Sequence, residues 1–327
     1  MAEEAVEHCI MEVSSHALDQ RRTHGLHFEL GIFTQLTQDH LDYHRTMRQY
    51  FEAKRKLFDS HPRPRKMLIN ADCSYGRKLL HDYPSASSFG INEPAEFRAV
   101  DIEPSFQGCR FKLQHKGKTS PFQIRLPMRH NISNVLGVLA ALELLGYCPS
   151  DFRGSLLEIP GIPGRMERIA NAHALEIFVD YAHTPDAIEN VLSEARKLSP
   201  KRILTLFGCG GDRDASKRPL MGKAAYQYSD LMILTSDNPR SEDPEAILRD
   251  IKTGLPHGKN LEKKVFEILN RAEAIEKLIA LSEPGDVLFV LGKGHEDYQI
   301  LGERKIPFDD RLVIQDCLKR KNRVFSS

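Results

Sequence analysis

In the second half of the chain, short apolar runs alternate with longer stretches of helical period. The runs Glu176–Val179, Arg202–Phe207, Leu231–Thr235 and Val287–Leu291 predict strands; Pro185–Leu198, Lys217–Gln227, Pro244–Ile251 and Ala272–Leu281 predict helices. Strand–helix–strand order of this kind predicts a doubly wound α/β domain built on a parallel sheet. The first half is more mixed. His8–Val13 reads as a buried strand end that runs into Ser14-Ser15-His16. Gly31–Leu36 reads as a second strand, closed by Thr37-Gln38-Asp39-His40. Apolar positions at Met47, Tyr50, Phe51, Leu57 and Phe58 predict a helix over 47–58, and Met67–Asn70 a further strand. Residues 85–127 read as β-rich, with Arg110–Leu113 and Phe122–Leu126 flanking the turn His115-Lys116-Gly117-Lys118. Asn134–Tyr147 predicts a strongly apolar core helix. Pro160-Gly161-Ile162-Pro163-Gly164 reads as a linker, which divides the chain into domains 1–163 and 164–327.

Composition narrows the class. At 327 residues the chain is long enough for two domains, and 41% hydrophobic with 28% charged residues suits a soluble globular protein. A net charge of +1 gives no overall field toward nucleic acid or an anionic membrane. No apolar run reaches the length of a membrane span, and no signal peptide is recognisable. The six cysteines are scattered without a Cys-x-x-Cys pair, which implies reduced thiols in the cytoplasm and no zinc site.

Three polar loops follow predicted strands of the second half: Gly208–Arg218, Ser236-Asp237-Asn238-Pro239-Arg240 and Gly292–Gln299. Loops at the carboxyl ends of parallel strands are where such sheets bind ligands. They supply two guanidinium groups, Arg213 and Arg240, and a carboxylate, Glu296. A zwitterion with more than one carboxylate suits that set. The charge density of Gly292-Lys293-Gly294-His295-Glu296 exceeds what a turn needs and favours a site. The glycine-rich loop Gly208–Asp214 is as well explained by a tight turn as by anion binding. It is neither a dinucleotide fingerprint nor a phosphate loop, and Gly-x-x-x-x-Gly-Lys-Ser/Thr occurs nowhere in the sequence.

In the first half, Glu12 beside Ser14-Ser15-His16 offers oxygen ligands to Mg²⁺, but capping of a helix is the commoner use of such a stretch. His40, within Gln38–His44, reads first as part of an Asp-rich helix N-terminus. Lys54 lies on a charged helical face, and nothing in the pattern marks it above Lys56.

Together the motifs are more specific. Glu12-Val13-Ser14-Ser15-His16, Thr37–His44, His130-Asn131-Ile132-Ser133-Asn134, Gly164-Arg165-Met166-Glu167, Asp180-Tyr181-Ala182-His183-Thr184-Pro185, Gly210–Asp214, Asp237-Asn238-Pro239-Arg240 and Gly292–Glu296 occur in that order. In this the chain resembles the Mur ligase family, and within it the MurE branch of UDP-N-acetylmuramoyl-L-alanyl-D-glutamate ligases. The resemblance runs from Glu12 to about Asp310. It implies a partial central ATPase α/β domain followed by a Rossmann-like C-terminal domain, without the N-terminal UDP-binding domain and the phosphate loop of that family.

The implied reaction is amide formation in peptidoglycan synthesis, hence in cell shape and division. ATP activates a substrate carboxylate as an acyl phosphate, and an amine attacks it. By match, Glu12 and His40 correspond to Mg²⁺ ligands. Lys54 corresponds to a lysine carbamylated to N6-carboxylysine that helps place a second Mg²⁺; nearby cations are expected to favour its reactive neutral amine. Ser14, Gln20 and Arg22 correspond to contacts with the UDP-muramoyl-dipeptide. Asn134, Arg165 and Asp180 correspond to contacts with the base and ribose of ATP, with His183 near its phosphates. Arg213, Asp237, Asn238, Pro239, Arg240, Gly292 and Glu296 correspond to the pocket for the incoming amino acid. Arg240 suits the side-chain carboxylate of meso-diaminopimelate and repels the ammonium of lysine. The expectation is a cytoplasmic, monomeric ligase for meso-diaminopimelate, whose 327 residues alone form an inactive fragment. The alternatives are a non-catalytic amino-acid-binding fragment and a folylpolyglutamate synthetase relative.

Overall fold

The computed structural model describes residues 6–60, 62–256, 258 and 261–324. The chain forms two compact units. One comprises Met1–Val100, Leu113–Thr119 and Ser133–Pro149; the other comprises Asp101–Lys112, Ser120–Ile132 and Ser150–Ser327.

The first sheet contains β1 (Leu30–Phe33), β2 (Lys66–Asn70), β3 (Ser87–Gly90), β4 (Phe97–Ser105), β5 (Gly108–His115) and β6 (Lys118–Ile124), in that spatial order. Strands β1 to β4 pair in parallel, with Ile32 opposite Leu68 and Ile69 opposite Ser88. In the first unit, helix Met47–Asp59 buries Tyr50, Phe51, Ala53 and Phe58. These aromatic side chains pack with Phe33, Ile69, Leu79 and Tyr83. Thr46 caps the helix by accepting the Gln49 N–H at 3.2 Å.

The segment His8–Val13 is not a strand. It has no regular structure, and Ile10 is fully exposed. A strand exists through its ladder partner, and no described residue pairs with this one. The predicted helix over 134–147 begins earlier and ends sooner, as Arg129–Leu144.

The second sheet contains β7 (Glu167–Arg168), β8 (Glu176–Asp180), β9 (Ile203–Phe207), β10 (Leu231–Leu234), β11 (Val265–Glu267) and β12 (Val287–Leu291), in the order β11-β10-β9-β12-β8-β7. All neighbours are parallel except β7 with β8. Every residue of β9, β10 and β12 is buried, as helices on both faces require. Alternation along β8 shows both faces: Phe178 enters the core with Ile188, Leu192, Phe207 and Met232, whereas Ile177 and Val179 enter another with Leu204, Ile275, Leu278 and Ile314. The predicted strands and helices of this half stand within one or two residues of the observed ones. Not anticipated were β7, β11, the hairpin of β13 (Tyr298–Leu301) and β14 (Arg304–Pro307), the short helix Leu261–Lys264 and the helix Asp310–Val324. Among the described residues no helix is long and apolar enough to cross a membrane.

Candidate active site

The order of the second sheet fixes where its loops go. β12 inserts between β8 and β9, so the loops that follow β8, β9, β10 and β12 emerge side by side at their carboxyl ends.

The loops after β9 and β10 are tied by backbone. The Gly211 N–H donates to the Asn238 carbonyl at 2.9 Å, and Arg240 Nη1 donates back to the Gly211 carbonyl at 2.7 Å. Arg240 holds a left-handed backbone (φ 52°) and is pinned by Ile300 and Gly302, its N–H donating to one and its carbonyl accepting from the other. Arg213 is exposed on the same glycine-rich loop. Pro239 and Asn238 are buried, and Asn238 is the hub. Its Nδ2 donates to Glu296 Oε2 at 2.8 Å, while its Oδ1 accepts from the Ile300 N–H at 3.0 Å and from Lys293 Nζ at 3.3 Å. Lys293, wholly buried, also donates to Glu296 Oε2 at 3.0 Å. Glu296 therefore already faces one internal ammonium. Asp237 is 8% exposed; burial pushes its carboxyl above the usual range, against the pull of Arg271 and Lys293. Gly292 (φ 108°) stands so close to Asp237 that a Cβ there would be 2.6 Å from Oδ2.

The loop after β8 is held by Asp180. Its carboxylate accepts from the Met166 N–H at 2.7 Å and the Ala182 N–H at 2.8 Å, which clamps Gly164–Met166 onto Tyr181–Ala182. Burial raises the Asp180 pKa and lowers that of neighbouring His130. Arg165 is exposed and lies 5.1 Å over the Tyr181 ring. His183 faces the same ring at 4.6 Å, and its Nδ1 lies 2.7 Å from the Tyr181 carbonyl oxygen. Gly164 (φ 67°) admits no side chain, because a Cβ would overlap the His295 backbone. The loops after β8 and β12 meet through Tyr181 and His295, whose rings lie 5.6 Å apart. Asn134 is exposed on helix Arg129–Leu144, in the other compact unit.

In the first unit, rings gather around Lys54. His16 lies 5.0 Å from His40, 4.2 Å from Tyr43 and 5.3 Å from His44; Tyr50 stacks on His44 at 5.1 Å and meets His40 edge-on at 5.8 Å. Lys54 Nζ lies 5.4 Å from the Tyr50 ring centre. Burial lowers the Lys54 pKa, and Glu12 and Asp39 oppose it. The expectation that nearby cations favour its neutral amine is therefore corrected: desolvation does this, and the charges that act on it, Glu12 and Asp39, are carboxylates. Glu12, His40 and Lys54 thus share one neighbourhood. Among the described residues no three His, Cys, Asp or Glu side chains form a metal cage. The predicted set holds only two such donors until the amine carries a carboxylate; its two carboxylates would then suit Mg²⁺, whereas the His40 imidazole adds nothing to that preference. Ser14 caps helix Ser15–Asp19, accepting the Ala17 N–H at 3.1 Å, and Gln20 and Arg22 are exposed at the other end of that helix.

Comparison with known proteins agrees with these motifs. Residues 1–142 match the Mur ligase middle domain, and residues 164–294 match the Mur ligase, glutamate ligase domain. The chain belongs to the Mur ligase family. It is 47% identical over 315 residues to the UDP-N-acetylmuramoyl-L-alanyl-D-glutamate–2,6-diaminopimelate ligase of Lawsonia intracellularis, covering 94% of this chain and 64% of that protein. The Geobacter metallireducens ligase of the same name is 45% identical over 322 residues, covering 92% and 63%. A solved structure of such a ligase superposes with a TM-score of 0.63 at 33% identity, over 95% of this chain and 64% of that one. This Mur ligase chain thus spans a little under two thirds of the relatives it matches. Two buried groups of its site region, Arg271 and Asp310, carry no motif signal and stand out only by their contacts, described below.

Proposed function

We propose that this chain belongs to the MurE branch and supplies the greater part of an ATP-dependent ligase that joins meso-diaminopimelate to UDP-N-acetylmuramoyl-L-alanyl-D-glutamate in peptidoglycan synthesis. The observation that carries this reading is the placement of Arg240. Its guanidinium stands at the Gly210–Arg213 loop, and Asn238, which precedes it, is bonded to the Lys293–Glu296 pair. A guanidinium at the glycine-rich loop is thus linked through the Asp237–Arg240 segment to the Lys293–Glu296 pair, an arrangement that would suit a ligand carboxylate held at Arg240. The identity to ligases of that name supports the same substrate.

Within this reading, residues 1–163 form part of the central ATPase domain and residues 164–327 the amino-acid-binding domain. Arg213, Asp237, Asn238, Pro239, Arg240, Gly292 and Glu296 line the amino-acid pocket. Asn134, Arg165, Asp180 and His183 serve ATP, and Ser14, Gln20 and Arg22 the UDP-muramoyl-dipeptide. Glu12, His40 and Lys54, the last as N6-carboxylysine, hold Mg²⁺, which when bound neutralises phosphate charge. Carbamylation joins Lys54 Nζ to CO₂ with loss of one amine proton, so it needs the unprotonated amine that burial favours. Product forms through an acyl phosphate that the amine of diaminopimelate opens, with phosphate leaving. The enzyme works as a cytoplasmic monomer.

Calorimetry on the 327-residue polypeptide tests this. Meso-diaminopimelate should bind in preference to lysine. The same polypeptide should release no phosphate from ATP with both substrates present, since its sequence has no Gly-Lys-Ser/Thr loop to hold the β- and γ-phosphates. Equal binding of lysine would overturn the substrate, and turnover would overturn the need for that loop.

A further inference from the structure

Beneath the amino-acid pocket lies a layer of buried charge that the motif matches do not assign. Arg271 is 1% exposed and opens the helix Arg271–Leu281 behind its cap Asn270. Its Nε and Nη2 donate to the two oxygens of Asp310, each at 2.7 Å, and Nη2 also donates to the Leu291 carbonyl at 3.0 Å. Asp310 is wholly buried at the start of the helix Asp310–Val324. The third nitrogen of the fork, Nη1, is buried without a hydrogen-bond partner.

A buried ion pair of this kind seldom stabilises more than apolar groups of the same volume would. Its position suggests a different use. Leu291 ends β12, Gly292 follows it, and Gly292 lies against the Asp237 carboxylate. One guanidinium therefore fixes the carbonyl from which the ligand loop departs, one residue from that carboxylate. Arg271 is ion-paired with Asp310 and Lys293 with Glu296; the Asp237 carboxyl lies beside both pairs, its charge disfavoured by burial and favoured by the two cations.

We propose that Arg271 is a positioning residue for the amino-acid pocket, fixing the start of the Gly292–Glu296 loop through the Leu291 carbonyl and keeping Asp237 available as a carboxylate for a ligand ammonium. The inference rests on the pocket assignment above. The groups around Asp237 agree with it. Burial acts against its charge; Arg271 first and Lys293 second act for it; Glu296 and Asp310 act against it, and Cys209 and Tyr181 also lie within its field.

The test is the titration of Asp237 in the full chain, followed by NMR of ¹³C-carboxyl aspartate and assigned by loss of the signal in Asp237→Asn. The double variant Arg271→Met, Asp310→Asn removes the ion pair as a unit and strands no charge. Because Arg271 acts on Asp237 more strongly than Asp310 opposes it, removing both should raise the Asp237 midpoint. Diaminopimelate binding should weaken at neutral pH and recover as the pH is raised. If the double variant does not fold, Arg271→Lys keeps the charge toward Asp310 but loses the fork, and the midpoint should shift the same way by less. A residue that only holds the fold would leave the midpoint in place, and an unmoved midpoint in either folded variant overturns the proposal. The titration needs no ligand, so failure of the unmutated chain to bind diaminopimelate would reject the substrate while the role of Arg271 is still decided.

Discussion

Arg240 donates through Nη1 to the carbonyl of Gly211, 2.7 Å away, so the loops after β9 and β10 are fastened by the residue proposed to read the ligand. One arm of the guanidinium is spent on the scaffold and sets its plane. Charge-assisted hydrogen bonds are worth roughly 1.5–3 kcal/mol, and an ammonium in place of the ligand carboxylate would forfeit them. Arg240→Ala should therefore erase most of the preference for meso-diaminopimelate over lysine. Arg240→Lys should retain a weakened preference, because a point charge lacks the fork. Calorimetric affinities for both amino acids check this, and an unchanged ratio in Arg240→Ala would reject the role.

Two glycines should resist substitution for different reasons. A Cβ at Gly164 would overlap the backbone of His295, and its φ of 67° disfavours any side chain by a further ~1–2 kcal/mol. At Gly292 the added atom would press on Asp237 Oδ2. Gly164→Ala should lower the urea midpoint of unfolding, whereas Gly292→Ala should lose diaminopimelate binding as well. Gly154→Ala, in open space on helix Arg153–Glu158, should be neutral or stabilising by up to about 1 kcal/mol.

Much of the second sheet was legible because a parallel sheet covered on both faces writes each strand as a continuous apolar run. The hairpin β13–β14 and the helix Asp310–Val324 lack that signal: Arg304–Pro307 is half charged, and the helix is rich in Lys and Arg. The site divides in the same way. Loops after strands are where ligand residues are expected, so Asp237–Arg240 and Gly292–Glu296 are legible as candidates. Arg271 and Asp310 lie 39 residues apart, and each alone reads as an ordinary polar helix start. His8–Val13 fails from the opposite side, since apolar pattern cannot supply a ladder partner. Lys54 and Lys56 are indistinguishable in pattern, and only burial separates them.

A pH dependence follows from Glu242. The buried Arg218 guanidinium donates to it at 2.8 Å and holds its carboxyl below the ordinary value of 4.5, partly offset by burial; the Asp212 N–H adds to the lowering. A depressed carboxyl contributes stability that is fully present above the unfolded value and is lost as pH falls through the folded one. Stability should therefore decline from about pH 4.5 downward. Glu242→Gln should be less stable at neutral pH and lose less on acidification. Urea midpoints by circular dichroism across that range check it, and parallel curves for the two proteins would show that the pair is not linked to folding.

Lys54 and Lys56 offer the sharpest contrast on a single helix. Lys56 is half exposed and pairs with Asp19, a surface arrangement of little energetic weight. Lys54 is pulled toward the neutral amine by burial, beside Glu12, Asp39 and the Tyr50 ring. If its carbamate helps hold Mg²⁺, no other side chain of that helix can replace the lost carboxylate. In a polypeptide that carries this chain together with a Gly-Lys-Thr phosphate loop, Lys54→Ala should abolish turnover, and added bicarbonate should not restore it, because the amine that captures CO₂ is gone. Lys56→Ala should stay within about threefold of the unmutated rate. The measurement is phosphate release dependent on both substrates, with circular dichroism to confirm that each variant is folded. A loss of less than roughly tenfold for Lys54→Ala, about 1.4 kcal/mol in barrier, would make it a structural lysine whose burial serves the ring cluster alone.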